Sequence, residues 1–365
     1  MDESEALSCY EKIDIIQAAN FGRKFVFVVR CRTSKNIFIL KEITCPEVKQ
    51  SICNFTVEPS VLQQIHAPLP TPFPGIIKPP QCFCGPVRVS LVFEMMSMDL
   101  FTGLDKFANA NSREGVTEDI ALIWLAQMIQ SVAHLQSRRV IHRDLKPENI
   151  FLDHNGNCVI GDFGLSETGS NNTNWSDWSN PCPIVGAPLY IPPEVFSGPM
   201  RESRSHLIKS DMWALGVIGY ELVSSSNPWN IVDVGNTPFP SICGTILETH
   251  PVKSAVMSDG YFSLIKSLLT PDPSKRLSPP DALAHPVFDP IRHKMSVDAL
   301  FPTGESDPHD ELKSFVKHTI NPNSLYTQYN APVKGPVAPD RRMYGTPHSP
   351  GIDPNSNSKR RREGD

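Results

Sequence analysis

The 365-residue chain carries 34 Lys and Arg against 39 Asp and Glu, a formal net charge of −5, so no overall basic field grips nucleic acid and none is expected as a partner. Its length allows one large domain or two lobes and excludes a single small module, and no segment approaches the roughly 18 uninterrupted apolar residues of a membrane span. Nine scattered cysteines without a repeated spacing fit reduced thiols, and the opening MDESEALSCYEK lacks the features of a leader, so the expected setting is cytoplasm, nucleus or both.

Along the chain, the apolar runs FVFVV (25–29) and IFIL (37–40) flank a polar stretch at 30–36, which predicts strand, turn and strand. Residues 56–66 place Val57, Val61, Leu62 and Ile65 at helical spacing, and a Pro-rich loop over 67–80 ends that helix. Cys82 and Cys84 form a lone C-x-C with no matching pair, which favours loop thiols over a zinc site. VSLVFEMM then predicts a third strand. Over 119–137, Leu122, Leu125, Ile129, Val132 and Ala133 recur every three or four residues, another helix. A small strand-rich region thus precedes a larger helix-rich one. From about residue 290, Pro, Asn, Ser and charge replace the periodic apolar positions, so the tail is expected to be largely disordered. Its KRRR run (359–362) is a candidate nuclear localisation signal, and Thr346-Pro347 and Ser349-Pro350 are candidate targets of proline-directed kinases.

The strongest signal is VIHRDLKPENIFLD (140–153), followed by Asp162-Phe163-Gly164. His142-Arg143-Asp144, Lys146, Asn149 and the Asp-Phe-Gly triplet, in this order, resemble the catalytic loop and metal-binding motif of the eukaryotic protein kinase family. Lys146, two residues after Asp144, resembles the Ser/Thr branch rather than the tyrosine branch. The resemblance spans about residues 10–290. It implies an α+β, bilobal fold, with a β-rich lobe over about 10–94 bearing one key helix and a mostly helical lobe over about 97–290; residues 1–9 precede it and 291–365 follow. It also implies ATP and Mg²⁺ as cofactors and protein substrates with Ser or Thr acceptors. Phosphoryl transfer requires an oriented nucleophile and cations that neutralise the transferring group. On that logic Asp144 orients the attacking hydroxyl, Lys146 stabilises the γ-phosphate, and Asn149 and Asp162 offer hard oxygen ligands to Mg²⁺. Lys41, at the end of the second strand, is matched by Glu58 on the amphipathic helix as the ion pair that faces the α- and β-phosphates. Glu42 and Glu47 lack that helical setting, and a surface role suits them. Gly22, Glu94, Met96 and Asp99 fall at nucleotide-contacting positions of the family.

Downstream, Pro192-Pro193-Glu194 resembles the end of the activation segment, Arg276 the family's partner for that Glu, and Asp211 the anchor of the catalytic-loop backbone. Asp99, Glu148 and Glu221 match positions where basophilic members accept a substrate Arg. The sequence also departs from the family. The glycine-rich loop reads Gln17-Ala18-Ala19-Asn20-Phe21-Gly22, so side chains stand where glycine normally lets backbone approach phosphate. Ile39 replaces a small residue above the adenine, Phe93 takes the gatekeeper position, and Ala187 replaces a Thr that bridges Asp144 and Lys146 in relatives. These departures motivate a second expectation, a pseudokinase scaffold. Arg143, read as an unpaired cation, suggests control by an upstream kinase through activation-loop phosphate, with Ser176 or Ser179 as substitute acceptors.

Overall fold

The computed structural model describes residues 7–19, 24–44, 57–67, 69–85, 88–111, 115–169, 184–197, 207–231 and 234–302. Gly22, Glu47, Ser176, Ser179, Thr346, Ser349 and the KRRR run lie outside the described residues.

Five antiparallel strands, β1 (Tyr10–Ala19), β2 (Lys24–Cys31), β3 (Ile37–Thr44), β4 (Gln81–Cys84) and β5 (Arg88–Glu94), form one sheet in the order β1-β2-β3-β5-β4. Between β3 and β4 lies α1 (Val57–His66), which buries Val61, Leu62 and Ile65. Register fixes the two faces, because residues opposite one another point the same way. Val26, Lys41 and Leu91 form one row, and Val28, Ile39 and Phe93 the next, on the face turned to the main core. Val29, Leu40 and Val92 form a smaller core on the other face, backed by Tyr10, Phe27 and Phe38. Two strands were not expected. β1 breaks its alternation with register shifts between Lys12 and Asp14 and between Ile15 and Gln17, and β4 is only four residues long. Cys82 and Cys84 are therefore strand thiols, not loop thiols, with sulfurs 3.7 Å apart. Glu42 also departs from its expected surface role. It is buried and accepts from Lys12 at 2.7 Å, while Lys12 lies 3.8 Å above the Phe27 ring.

The helical lobe follows as β6 (Met98–Asp99), α2 (Leu100–Asn111), α3 (Glu118–Ser137), β7 (Val140–Ile141), β8 (Ile150–Leu152), β9 (Cys158–Ile160), β10 (Glu167–Thr168), α4 (Pro193–Ser197), α5 (Ser210–Ser224), α6 (Phe239–Glu248) and α7 (Asp259–Leu268). Glu118 and Asp119 in the first turn of α3 complement its dipole. α5 is apolar nearly all round, the mark of a helix packed on every side. Each fully buried Leu or Ile in α3 and α5 contributes roughly 1.5–3 kcal/mol. Gly216 lets α7 approach closely, since a Cβ there would meet Leu268 and Leu269 at 2.9 Å. The whole is a bilobal α+β fold.

Two short ladders decide where the chemistry falls. β8 pairs with β9, and β10 pairs with β7. The segment 142–149 runs from β7 to β8 and the segment 161–166 from β9 to β10, so pairing on both sides holds these two segments next to one another.

Candidate active site

The loop after β7 is fixed from below. Asp211, near the start of α5, accepts from the backbone N–H of His142 at 2.8 Å and of Arg143 at 3.0 Å. It is buried, and that burial pushes its carboxyl up from the usual range. His142 joins the two loops, with Nε2 2.9 Å from the Gly161 carbonyl and its ring edge-on to Phe163 at 4.7 Å. Arg143 and Asp162 adopt positive φ values of 71° and 55°, strained for non-glycine residues at roughly 1–3 kcal/mol each, a cost the surrounding hydrogen bonds offset.

Within this frame Asn149 donates from Nδ2 to the Asp144 carbonyl at 2.7 Å and to Asp144 Oδ2 at 2.9 Å. Its amide oxygen is then the atom it can offer as an acceptor. Lys146 Nζ lies 3.1 Å from Asp144 Oδ2, so the two meet directly where Ala187 supplies no bridging hydroxyl. Gly186 is required next to it: φ is 104°, and a Cβ would come within 2.8 Å of the Arg143 carbonyl.

The roof contributes cations. Lys41 Nζ is 2.5 Å from Glu58 Oε2 and 2.8 Å from Asp162 Oδ1. Burial alone would lower the Lys41 ammonium, but Glu58 and Asp162 outweigh it and hold the proton on. Lys24, at the start of β2, reaches Asp162 Oδ2 at 3.4 Å. Burial would raise the Asp162 carboxyl; Lys41 and Lys24 overcome it and keep that group well below the usual carboxylate range. The Phe163 N–H donates to Glu58 Oε1 at 3.3 Å, and the Phe163 ring is fully buried. α1, β3 and the segment after β9 are thereby locked together.

Asn149 and Asp162 fit a magnesium ion by donor chemistry: both are hard oxygen ligands, few in number, as expected where phosphate oxygens complete the shell. Among the described residues no group of three or more His, Cys, Asp or Glu is arranged to hold a metal unaided. The cleft between the lobes has a volume of about 1500 Å³ and includes Ile39, Phe93, Met96 and Phe151. Ile39 and Phe93 are register partners on β3 and β5, so two bulky side chains meet at that end. Met96 and Glu94 both border the cleft, the Glu94 side chain being half exposed and held by Lys78 at 2.8 Å. Asp99 caps α2, accepting from Thr102 N at 2.7 Å and Oγ1 at 2.8 Å.

The expectation of an unpaired Arg143 is corrected. Its Nη1 is 2.8 Å from Glu167 Oε2, both side chains being largely buried, and β10 carries Glu167 into place by pairing with β7. Glu194 and Arg276 form the expected bidentate pair at 2.7 and 2.8 Å; Arg276 is 1% exposed and also donates to the carbonyls of Thr270 and Lys209. Glu221 accepts from the Tyr190 hydroxyl at 2.9 Å, and burial, aided by nearby Glu148, pushes its carboxyl up to about 8. Glu148 Oε2 is buried and has no hydrogen-bond partner among the described residues. Lys24 and Glu167 are the site residues that sequence reasoning passed over. Alternation with Val26 is the signal that places Lys24 on the cleft face once the register is known.

Residues 11–288 match the family model described as the protein kinase domain. Protein kinase 3 of Dictyostelium discoideum is 26% identical over 301 residues, covering 78% of this chain and 30% of its own length. Serine/threonine-protein kinase Nek3 of Mus musculus is 30% identical over 284 residues, covering 77% of this chain and 50% of its own. Serine/threonine-protein kinase chk1 of Schizosaccharomyces pombe is 32% identical over 192 residues, 52% of this chain and 36% of its own. The chain thus spans between about a third and a half of the length of these curated relatives.

Proposed function

Because the chain belongs to the eukaryotic protein kinase family, Ser/Thr type, we propose that it transfers the γ-phosphoryl group of Mg-ATP to Ser or Thr hydroxyls of protein substrates. One observation carries this reading: Lys41 Nζ is shared between Glu58 at 2.5 Å and Asp162 at 2.8 Å, the arrangement in which helix, strand and metal-binding segment are assembled together.

Mg-ATP, when bound, supplies the transferable group and a divalent charge to offset that of the phosphates. Asn149 Oδ1 and the Asp162 carboxylate would hold the metal. Lys41, aimed by Glu58, neutralises the non-transferred phosphates. Asp144 accepts the hydroxyl proton of the incoming Ser or Thr, with Asn149 and Lys146 both holding its Oδ2 and Lys146 offsetting charge on the transferred group. Glu94, Met96 and Asp99, which line the cleft, would border the nucleotide.

Substrates with Arg upstream of the acceptor are favoured in this reading. Burial raises both the Glu148 and the Glu221 carboxyl, Glu148 adds to the rise at Glu221, and neither is held in an ion pair among the described residues, so a guanidinium entering there would satisfy both. Upstream kinases acting on Ser176, Ser179 or the tail would modulate rather than enable activity, because Glu167 already holds Arg143. The test is phosphorylation of a mixed peptide library by the full chain, with Asp144→Ala as control. Radiolabel transfer enriched on Arg-containing Ser or Thr peptides and abolished in the variant supports the proposal. Nucleotide binding without transfer would instead support the scaffold reading.

A further inference from the structure

The family motifs account for Lys41 but not for Lys24. Lys24 lies opposite Ile43 in the β2–β3 ladder, two residues along β2 from Val26, which itself lies opposite Lys41. Strand alternation therefore puts Lys24 and Lys41 on one face of a rigid sheet, both bordering the cleft. Their ammonium groups converge on the two oxygens of one carboxylate, Lys41 on Asp162 Oδ1 at 2.8 Å and Lys24 on Oδ2 at 3.4 Å. The two contacts differ in kind. Lys41 is buried and tied to Glu58 as well, whereas the Lys24 side chain is 22% exposed and its contact with Asp162 is long for a charge-assisted bond. Asp162 is also the carboxylate assigned to the metal, so a divalent cation held there would compete with Lys24 for that carboxylate.

We propose that Lys24 is a second phosphate-binding lysine, which leaves Asp162 when metal and nucleotide enter and contacts the polyphosphate from the roof of the cleft. This inference rests on the kinase reading above and explains how the site manages without its glycines. Where Gln17 and its neighbours restrict the approach of backbone N–H groups, a side-chain ammonium on the adjoining strand supplies the missing positive charge. Lys is suited to the task, being a compact point charge with three donors that need no fixed plane.

The experiment is calorimetric titration of the full chain with ATP, ADP and adenosine in the presence of Mg²⁺, for wild type, Lys24→Met and Lys24→Arg. The expected result is that Lys24→Met weakens ATP binding by about tenfold or more, the size of one lost charge-assisted hydrogen bond, with adenosine changed by less than about twofold and ATP binding largely restored in Lys24→Arg. Equal loss for ATP and adenosine would overturn the proposal, since it would mark a purely structural residue. Unchanged or tighter ATP binding in Lys24→Met would overturn it too, leaving Lys24 as no more than a partner of Asp162. Should wild type bind adenosine but gain nothing from the phosphates, the phosphate role of Lys24 falls while the cleft stands; should wild type bind no nucleotide at all, the kinase reading falls with it.

Discussion

The floor and the roof of the cleft have kept different things. On the floor, Asp144, Lys146, Asn149 and Asp162 are all present, and a backbone anchored on Asp211 holds their loop. In the roof, the pair Lys41–Glu58 is intact, yet the stretch 17–22 lacks all but one of the family's glycines, Ile39 meets Phe93 in the cleft, and Lys24 points a second ammonium at Asp162. On the proposed function, the contrast separates the parts of phosphoryl transfer that differ in their tolerance of substitution. Positioning the hydroxyl and metal needs particular side chains in register, whereas positive charge near the phosphates can come from backbone N–H groups or from a lysine.

The sharpest break between floor and roof comes from Asp144→Ala. It should lower the transfer rate by about 10²–10⁴-fold, the range for losing a positioned general base, while Mg-ATP affinity stays within about twofold in equilibrium titration. Loss of nucleotide binding in the same variant would make Asp144 a structural element of the floor. Next in size is Glu194→Ala. Arg276 would lose its bidentate partner while staying buried, so unfolding should become easier by about 3 kcal/mol, visible as a lower melting temperature. An unchanged melting curve would mean that the carbonyls of Thr270 and Lys209 satisfy the guanidinium unaided.

A third prediction concerns pH. With its carboxyl pushed up to about 8, Glu221 is largely neutral at pH 6.5 and becomes anionic as pH rises through 8. KM for Arg-containing peptides should therefore fall several-fold between pH 6.5 and 8.5, and Glu221→Gln should flatten that profile. The same raised value means that the folded chain holds a proton the unfolded chain has released, so this group costs stability as pH climbs from about 4.5 to 8. A KM that rises with pH in wild type would contradict the assignment. The smallest effect is expected at the activation loop. Because Glu167 holds Arg143, the double variant Ser176→Ala, Ser179→Ala should retain transfer within about twofold, and a loss beyond tenfold would show that phosphate there is required.

Much of the floor was legible because its residues lie in one contiguous string, where the chemistry of each type and its spacing could be read together. Lys41 and Glu58 were also legible, since Lys41 directly follows the apolar run IFIL and Glu58 opens an amphipathic helix. What stayed hidden depends on pairing across the chain. Lys24 sits in a strand whose inward face cannot be chosen until Val26 is placed against Lys41. Glu167 meets Arg143 only because β10 pairs with β7. The burial of Glu42 stays hidden as well, because its partner Lys12 comes from a bulged strand whose alternation is broken.

The most direct test of the whole account is a structure of the chain bound to Mg²⁺ and a non-hydrolysable ATP analogue. Metal is expected between Asn149 Oδ1 and the Asp162 carboxylate, with Asp144 turned to the γ-phosphate and Lys24 Nζ moved onto the phosphates. A nucleotide held with no metal at Asp162, its phosphates turned away from Asp144 and Lys24 unmoved, would contradict it.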